Sequence, residues 1–200
     1  MPNPYPRDQH RDQRFVAHLE ELVKREDRAA LAALRRGLGK ALGEAPEMYR
    51  YVVPWVGSNT PRWTEDAYYL VAALFAVHQQ SWHAAEGQSG ATNLGTSLRF
   101  LQHKTESERK TESNHKTEMD SVERRLVAML NSHRDDLPDH LRHSIGLLHS
   151  NDVLVDWLQL LRDIQSWGRP GNSVQRAWAR AFWRGREEED TGAETTATPQ

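Results

Sequence analysis

The segment from Asp120 to Trp167 constrains the fold most, because it contains three successive patterns of helical periodicity. The first pattern begins at Asp120, a helix N-cap that Glu123 would complete as a capping box. The second has Pro138 in its first turn, where proline is favoured, and the third ends at Gly168. The apolar positions of the three patterns are Val122, Leu126, Met129 and Leu130, then Leu141, Ile145 and Leu148, then Val153, Trp157, Leu160, Leu161, Ile164 and Trp167. The spacing predicts three helices around one shared core.

The rest of the chain is also periodic at helical spacing. It predicts a helix from about Arg11 to Lys24 and a second helix, capped by Asp27, that continues to about Leu42. A third helix opens at Thr64 and Asp66 and contains the longest apolar run of the chain. A short helix over residues 93–102 and a last one over residues 173–183 complete the set. These patterns predict an all-α fold made of two small helical bundles.

A polar repeat divides the two predicted bundles. Residues 104–118 read KTESER, KTESNH and KTE, a six-residue period that fits neither a helix nor a strand. We therefore predict an N-terminal helical domain over residues 1–103, a low-complexity linker over 104–118 and a C-terminal helical domain over 119–186. Residues 187–200, which include five acidic residues, are predicted to form a disordered acidic tail, since they offer little apolar surface to bury.

Composition excludes several classes of protein. The chain has 200 residues and no cysteine, so disulfides, thiolate nucleophiles and cysteine-bound zinc are excluded. Its longest apolar run, residues 67–77, is about half of what a membrane-spanning helix needs. No apolar segment typical of a secretion signal follows the start, so a cytoplasmic location without membrane contact is expected. Five of the 28 acidic residues fall in the predicted tail, which leaves the remainder mildly basic.

The ten histidines raise the question of a metal site. The only close pair at helical spacing is His140 and His143, and the three-residue step with no glutamate between differs from the zinc motif HExxH. Asp135, Asp136 and Asp139 are near, but acids are favoured at a helix start for electrostatic reasons. A structural role is therefore the better interpretation, with neither metal nor cofactor expected. An all-helical metal hydrolase remains a distant alternative.

Other catalytic or binding motifs are equally weak. The stretch RRGLGKALG lacks the spacing of a phosphate-binding loop and is typical of a helix end. A serine–histidine–aspartate arrangement stays open, although no serine has the sequence context of a nucleophile elbow. Four tryptophans occur at core spacing, which favours packing over base stacking; they are Trp157, Trp167, Trp178 and Trp183.

Arginines provide the remaining functional signal. Two adjacent pairs occur on helices that are otherwise committed to a core, and four further arginines are isolated. The eight candidates are Arg35, Arg36, Arg62, Arg99, Arg124, Arg125, Arg142 and Arg169. Guanidinium groups bind phosphate bidentately and keep their charge, so this set could follow a nucleic-acid backbone without reading bases. The alternative is that they form solvated faces paired with Asp and Glu.

Five short segments in order resemble the small subunit of the type I-E CRISPR surveillance complex Cascade, the CasB family. They are LRRG at residues 34–37, PEMYRYVVPW at 46–55, NLGTSL at 93–98, SVERRL at 121–126 and VDWLQLLRDIQSWG at 155–168. The resemblance that they carry spans about Phe15 to Trp183, nearly all of the predicted folded chain. The resemblance implies an all-helical, two-domain structural protein that is not an enzyme.

The resemblance also implies partners and sites. It implies other Cascade subunits, both large and backbone subunits, a second copy of the chain, CRISPR RNA, target DNA and the displaced single strand. By match to the motifs, Arg36, Arg62, Arg125 and Arg169 fall where family members carry basic residues that contact nucleic acid. Where the family often has a basic residue after the glycine of NLGTSL, this chain has Thr96. The expected function is stabilisation of the R-loop, and the alternative is a helical protein–protein adaptor without nucleic acid.

Overall fold

A computed structural model describes residues 9–83, 92–109 and 116–194. Over these residues the chain forms nine α-helices, two short 3-10 helices and no strand, and one isolated parallel bridge joins Ser81 to Val155. The helices are α1 (Gln9–Lys24), α2 (Arg28–Arg35), α3 (Tyr49–Val52), α4 (Arg62–Val77), α5 (Leu94–Arg109), α6 (Lys116–Leu130), α7 (Leu137–Ser150), α8 (Trp157–Ser166) and α9 (Ser173–Glu194). The predicted all-α class is confirmed. In the described ranges, no helix has both the length and the hydropathy needed to span a bilayer.

The helices form two compact units, each built from two parts of the chain. The first consists of the described residues up to Gln79 together with Trp157–Gln165, and the second consists of 80–156 with the residues from Ser166 onward. This division differs from the predicted domains, which placed residues 80–103 with the N-terminal bundle and residues 157–165 with the C-terminal bundle. The reason is visible in the first unit, where the Trp157 ring packs edge-on against Phe75 at 5.5 Å and 71°. The Trp63 indole also donates a hydrogen bond to the carbonyl of Ile164 at 2.8 Å.

Helix α4 is the centre of the first unit. Every residue from Ala67 to Ala76 is buried, in agreement with the apolar run in the sequence. On one side the Phe15 ring of α1 meets the Tyr68 ring edge-on at 4.8 Å. The Tyr68 hydroxyl donates to the buried Asp12 carboxylate at 2.6 Å, which ties α1 to α4 through polar as well as apolar contact.

Helix α2 is capped as predicted at its start and ends earlier than predicted. The Asp27 carboxylate accepts a hydrogen bond from the amide of Ala30 at 2.9 Å. The helix stops at Arg35, not near Leu42, because the following chain turns and Gly39 adopts a φ of 85° that the helical ladder cannot include.

The second unit contains α5, α6, α7 and α9. Helices α5 and α9 approach so closely at Gly95 that a Cβ atom there would collide with the backbone carbonyl of Trp178. The Trp178 ring lies 5.0 Å from the Trp167 ring, and both side chains are fully buried. Pro138 lies in the first turn of α7, as predicted.

Three predicted boundaries differ from the structure. The predicted capping box of Asp120 and Glu123 is wrong, because α6 begins at Lys116 and Asp120 lies inside it. Helix α5 continues to Arg109 and α6 begins at Lys116, so residues 104–109 and 116–118 of the predicted linker are helical, and 110–115 lie outside the described residues. Helix α9 continues to Glu194, so residues 187–194 are helical where disorder was predicted; glutamate propagates a helix well once packing has fixed its start.

Candidate nucleic-acid interface

Arg35 has a structural partner. Its Nε and Nη2 atoms donate to the carbonyl oxygen of Ala76 at 3.2 and 3.0 Å. Ala76 belongs to the last turn of α4, where carbonyl oxygens have no partner within the helix. The guanidinium group therefore caps α4 and complements the negative end of its dipole. This geometry commits Arg35 to the fold of the first unit.

Two further candidates form ion pairs on the surface. Arg142 Nη1 lies 2.9 Å from Asp139 Oδ1, and Arg62 Nε lies 3.8 Å from Asp66 Oδ2. Burial raises the pKa of the Asp66 carboxyl, while the charge of Arg62 lowers it and that of Glu65 raises it. The Arg62 side chain is 91% exposed, so this long contact leaves its guanidinium accessible to a phosphate.

Three candidates are exposed and have no side-chain partner within the described ranges: Arg36, Arg125 and Arg169. Arg36 follows α2, Arg125 lies on α6, and Arg169 lies in the turn between α8 and α9. The backbone at each position is fixed by packing, and each guanidinium group is available. Such groups can bind a phosphate by donating hydrogen bonds to it, without first breaking an internal contact.

Arg36 also lines an open groove in the first unit. The groove has a volume of about 610 Å³, and alanines of α2 are among its lining residues. Arg50 and Tyr49 also line it, and Tyr49 is 42% exposed. The guanidinium of Arg50 lies 4.6 Å from the centre of the Tyr51 ring. The lining of the groove thus combines two cations, the acidic Glu47, an exposed aromatic residue and apolar residues.

Arg99 and Arg124 belong to the second unit. Arg99 is half-buried, and its guanidinium carbon lies 5.5 Å from the centre of the Phe100 ring, whose side chain is 52% exposed. Arg124 is exposed beside Arg125 on α6. The eight predicted arginines are therefore divided between the two units. Arg35, Arg36 and Arg62 belong to the first unit and the other five to the second.

Helix α9 carries a row of arginines that are not among the eight predicted candidates. Arg176, Arg180 and Arg184 are all exposed and recur every four residues. The four-residue spacing is visible in the sequence, whereas the prediction for this helix used only its apolar face. Trp183 also differs from the prediction of core packing. Whereas Trp157, Trp167 and Trp178 are at most 1% exposed, Trp183 is half-buried, with its indole N–H donating to Glu123 Oε1 at 3.2 Å.

Of the histidine pair, His143 makes a local contact. His143 Nδ1 lies 2.7 Å from the carbonyl oxygen of Asp139, one turn earlier on α7. Throughout the described part of the chain, no three His, Asp or Glu side chains come together in a way that could hold a metal ion.

Comparison with known proteins adds to this geometry. The family model for CRISPR-associated protein Cse2 matches residues 30–183. The Cse2 protein of Thermus thermophilus is 32% identical over 172 residues, which is 84% of this chain and 88% of that protein. The crystal structure of CasB from M. ruber matches with a TM-score of 0.69 and 32% identity, covering 90% of this chain and 97% of that one.

A chain of a CRISPR RNA-guided surveillance complex is similar to the same extent. It matches with a TM-score of 0.71 and 29% identity over 92% of this chain and 98% of that chain. The family match covers more than half of the sequence, and the relatives are matched over nearly their whole length. The chain therefore belongs to the CRISPR-associated Cse2 family, in which the name CasB is also used.

Proposed function

We propose that this chain is a non-catalytic structural subunit of a CRISPR RNA-guided DNA surveillance complex of the Cascade type. Its partners are the large and backbone subunits, a second copy of itself, CRISPR RNA, target DNA and the displaced strand. The supporting observation is that a chain of such a complex matches this one over 92% of its length. The expected location is the cytoplasm, where those partners would be assembled.

In this function the exposed arginines bind phosphate backbones and base pairing supplies sequence specificity. Exchange of a DNA duplex for an RNA–DNA duplex is nearly balanced in free energy, so a few phosphate contacts can bias it. Arg36, Arg125 and Arg169 are suited to this because their side chains are exposed and have no partner among the described residues. Arg62 joins them, since its ion pair with Asp66 is long and solvated.

Arg35 and Arg142 are weaker candidates. The guanidinium of Arg35 is occupied by the Ala76 carbonyl, and that of Arg142 by Asp139. A phosphate could bind either group only at the expense of an existing contact. Arg99 and Arg124 remain candidates in the second unit, where Arg124 extends the surface of Arg125.

The test is reconstitution of the complex with and without this chain. R-loop formation is followed through the fluorescence of 2-aminopurine placed in the displaced strand of a matched target. We expect the complete complex to hold the displaced strand open, and the complex that lacks this chain to lose most of the open population. An open population that does not depend on the chain would contradict the proposal. Co-purification without any effect on nucleic acid would instead support the adaptor alternative.

A further inference from the structure

The outer face of α9 has a regular pattern. Val174, Trp178 and Phe182 recur every four residues and are at most 6% exposed, so they fix the inner face of the helix. Arg176 and Arg180 each follow one of these residues by two positions, as does Arg184. At 3.6 residues per turn, two positions rotate a side chain by about 200°, which places the arginines on the opposite face. Burial of the inner face of α9 therefore fixes the three arginines on its outer face.

The arginine row has a spacing and a charge pattern that suit a polyanion. Four residues advance about 6 Å along a helix, so Arg176, Arg180 and Arg184 form a line of three cations about 12 Å long. Among the described residues, none of the three side chains forms an ion pair or a hydrogen bond. Like charges at this spacing destabilise a helix, and an anion along the row would remove that repulsion.

Trp183 adds an aromatic surface to the same face. It lies three residues after Arg180, a neighbouring position on a helix surface, and seven after Arg176, which is on the same side of the helix about two turns earlier. Its indole is half-buried, is anchored by the Glu123 carboxylate at 3.2 Å, and meets the Phe182 ring edge-on at 5.3 Å and 79°. Because two contacts hold the indole, its accessible part is preorganised for stacking.

We infer that the outer face of α9 binds single-stranded nucleic acid, with phosphates on Arg176, Arg180 and Arg184 and an unpaired base against Trp183. Arginines along a backbone combined with an aromatic stacking surface are characteristic of single-strand binding. A duplex offers the phosphates but keeps its bases stacked, so Trp183 favours the single strand. An acidic protein segment would match the arginines but would leave the indole without a stacking partner. This inference rests on the proposed function. The residues that it assigns are not among the eight arginines predicted from the sequence.

The first arm of the test measures charge. Fluorescence anisotropy follows binding of a labelled oligothymidylate to the full-length chain across a potassium chloride series. The variant combines Arg176→Gln, Arg180→Gln and Arg184→Gln, because glutamine retains helix propensity. The control combines Arg14→Gln, Arg25→Gln and Arg28→Gln, which removes the same charge from exposed positions in the first unit. We expect only the α9 variant to reduce the slope of log K against log salt, by roughly 2 for three lost contacts.

The second arm measures stacking. Trp183→Leu should weaken single-strand binding by roughly five-fold to a hundred-fold, with an unchanged salt slope. Trp183→Phe should retain most of the affinity, since an aromatic ring remains. Duplex binding should be the same for the wild type and both variants. Circular dichroism melts of every variant show whether the helix is retained.

The outcomes separate this inference from the proposed function. If the wild type binds the strand and the α9 variant binds with the same affinity and slope as the control, the inference is wrong while the proposed function stands. If the α9 variant still binds the strand but no longer assembles with other subunits, the face is a protein interface and the inference is also overturned. A wild-type chain that leaves the strand free even at low salt also overturns the inference, whereas the proposed function, which concerns the assembled complex, is tested separately by the reconstitution.

Discussion

Arg35 donates two hydrogen bonds to the carbonyl oxygen of Ala76, at 3.2 and 3.0 Å, while the adjacent Arg36 has no side-chain partner in the described ranges. We expect Arg35→Ala to lower the free energy of unfolding by about 1–2 kcal/mol, because it leaves a carbonyl in the last turn of α4 without its charged donor. Arg36→Ala should change it by no more than about 0.5 kcal/mol. Urea unfolding of the two variants measures the difference. Equal effects would contradict the capping role of Arg35.

Gly95 and Gly146 form a second matched pair. Both lie in helices, but a Cβ at Gly95 meets the carbonyl of Trp178, whereas a Cβ at Gly146 meets open space. We expect Gly95→Ala to lower the free energy of unfolding by about 1–3 kcal/mol, since α5 and α9 would have to move apart. Gly146→Ala should raise it by about 0.5–1 kcal/mol through helix propensity. Thermal melts at fixed pH compare the two, and equal shifts in Tm would argue against the close packing of α5 on α9.

His18 makes the stability of the first unit depend on pH. Its ring packs against Trp55 with centroids 5.3 Å apart, and burial, followed by the charge of Arg25, lowers its pKa from the ordinary value of 6.5. Below about pH 6.5 the unfolded chain therefore binds more protons at this position than the folded chain does. The free energy of unfolding should fall on acidification through that window. Above the window, titration of His18 should no longer make stability depend on pH. Tm values across the pH range, compared with those of His18→Gln, isolate this contribution; equal slopes in the two proteins would rule out the effect.

The sequence predicted the helices well because their cores are periodic. The α4 run and the faces of α7 and α9 were read directly from apolar spacing, and Asp27 was identified as a cap from its chemistry. The boundaries of the units were less accessible. Periodicity shows that the face of Trp157 and Ile164 is buried, but it does not show which helices cover it. The tertiary contacts with Phe75 and Trp63 decide that question.

The roles of the individual arginines could not be predicted from the sequence for a similar reason. In the sequence, Arg35 and Arg36 are equivalent neighbours, and only the fold shows that one of them reaches Ala76, 41 residues away. The α9 row could have been found from its four-residue spacing, because that signal is local. The partial exposure of Trp183 could not have been predicted from the sequence. Trp178 and Trp183 both occur at plausible core positions, and only packing distinguishes them.

We propose that exposed arginines of this chain contact phosphate in the assembled complex. The most direct test is the salt dependence of target-DNA affinity for complexes that carry Arg36→Ala, Arg62→Ala, Arg125→Ala or Arg169→Ala. Arg14→Ala, at an exposed position outside the predicted set, serves as the control. The slope of log K against log salt is negative, and each lost contact should reduce its magnitude by roughly 0.7 for a single strand or 0.9 for a duplex. The reduction should be the same for every guide sequence. Four variants that assemble normally and keep the slope and affinity of the control would contradict the claim.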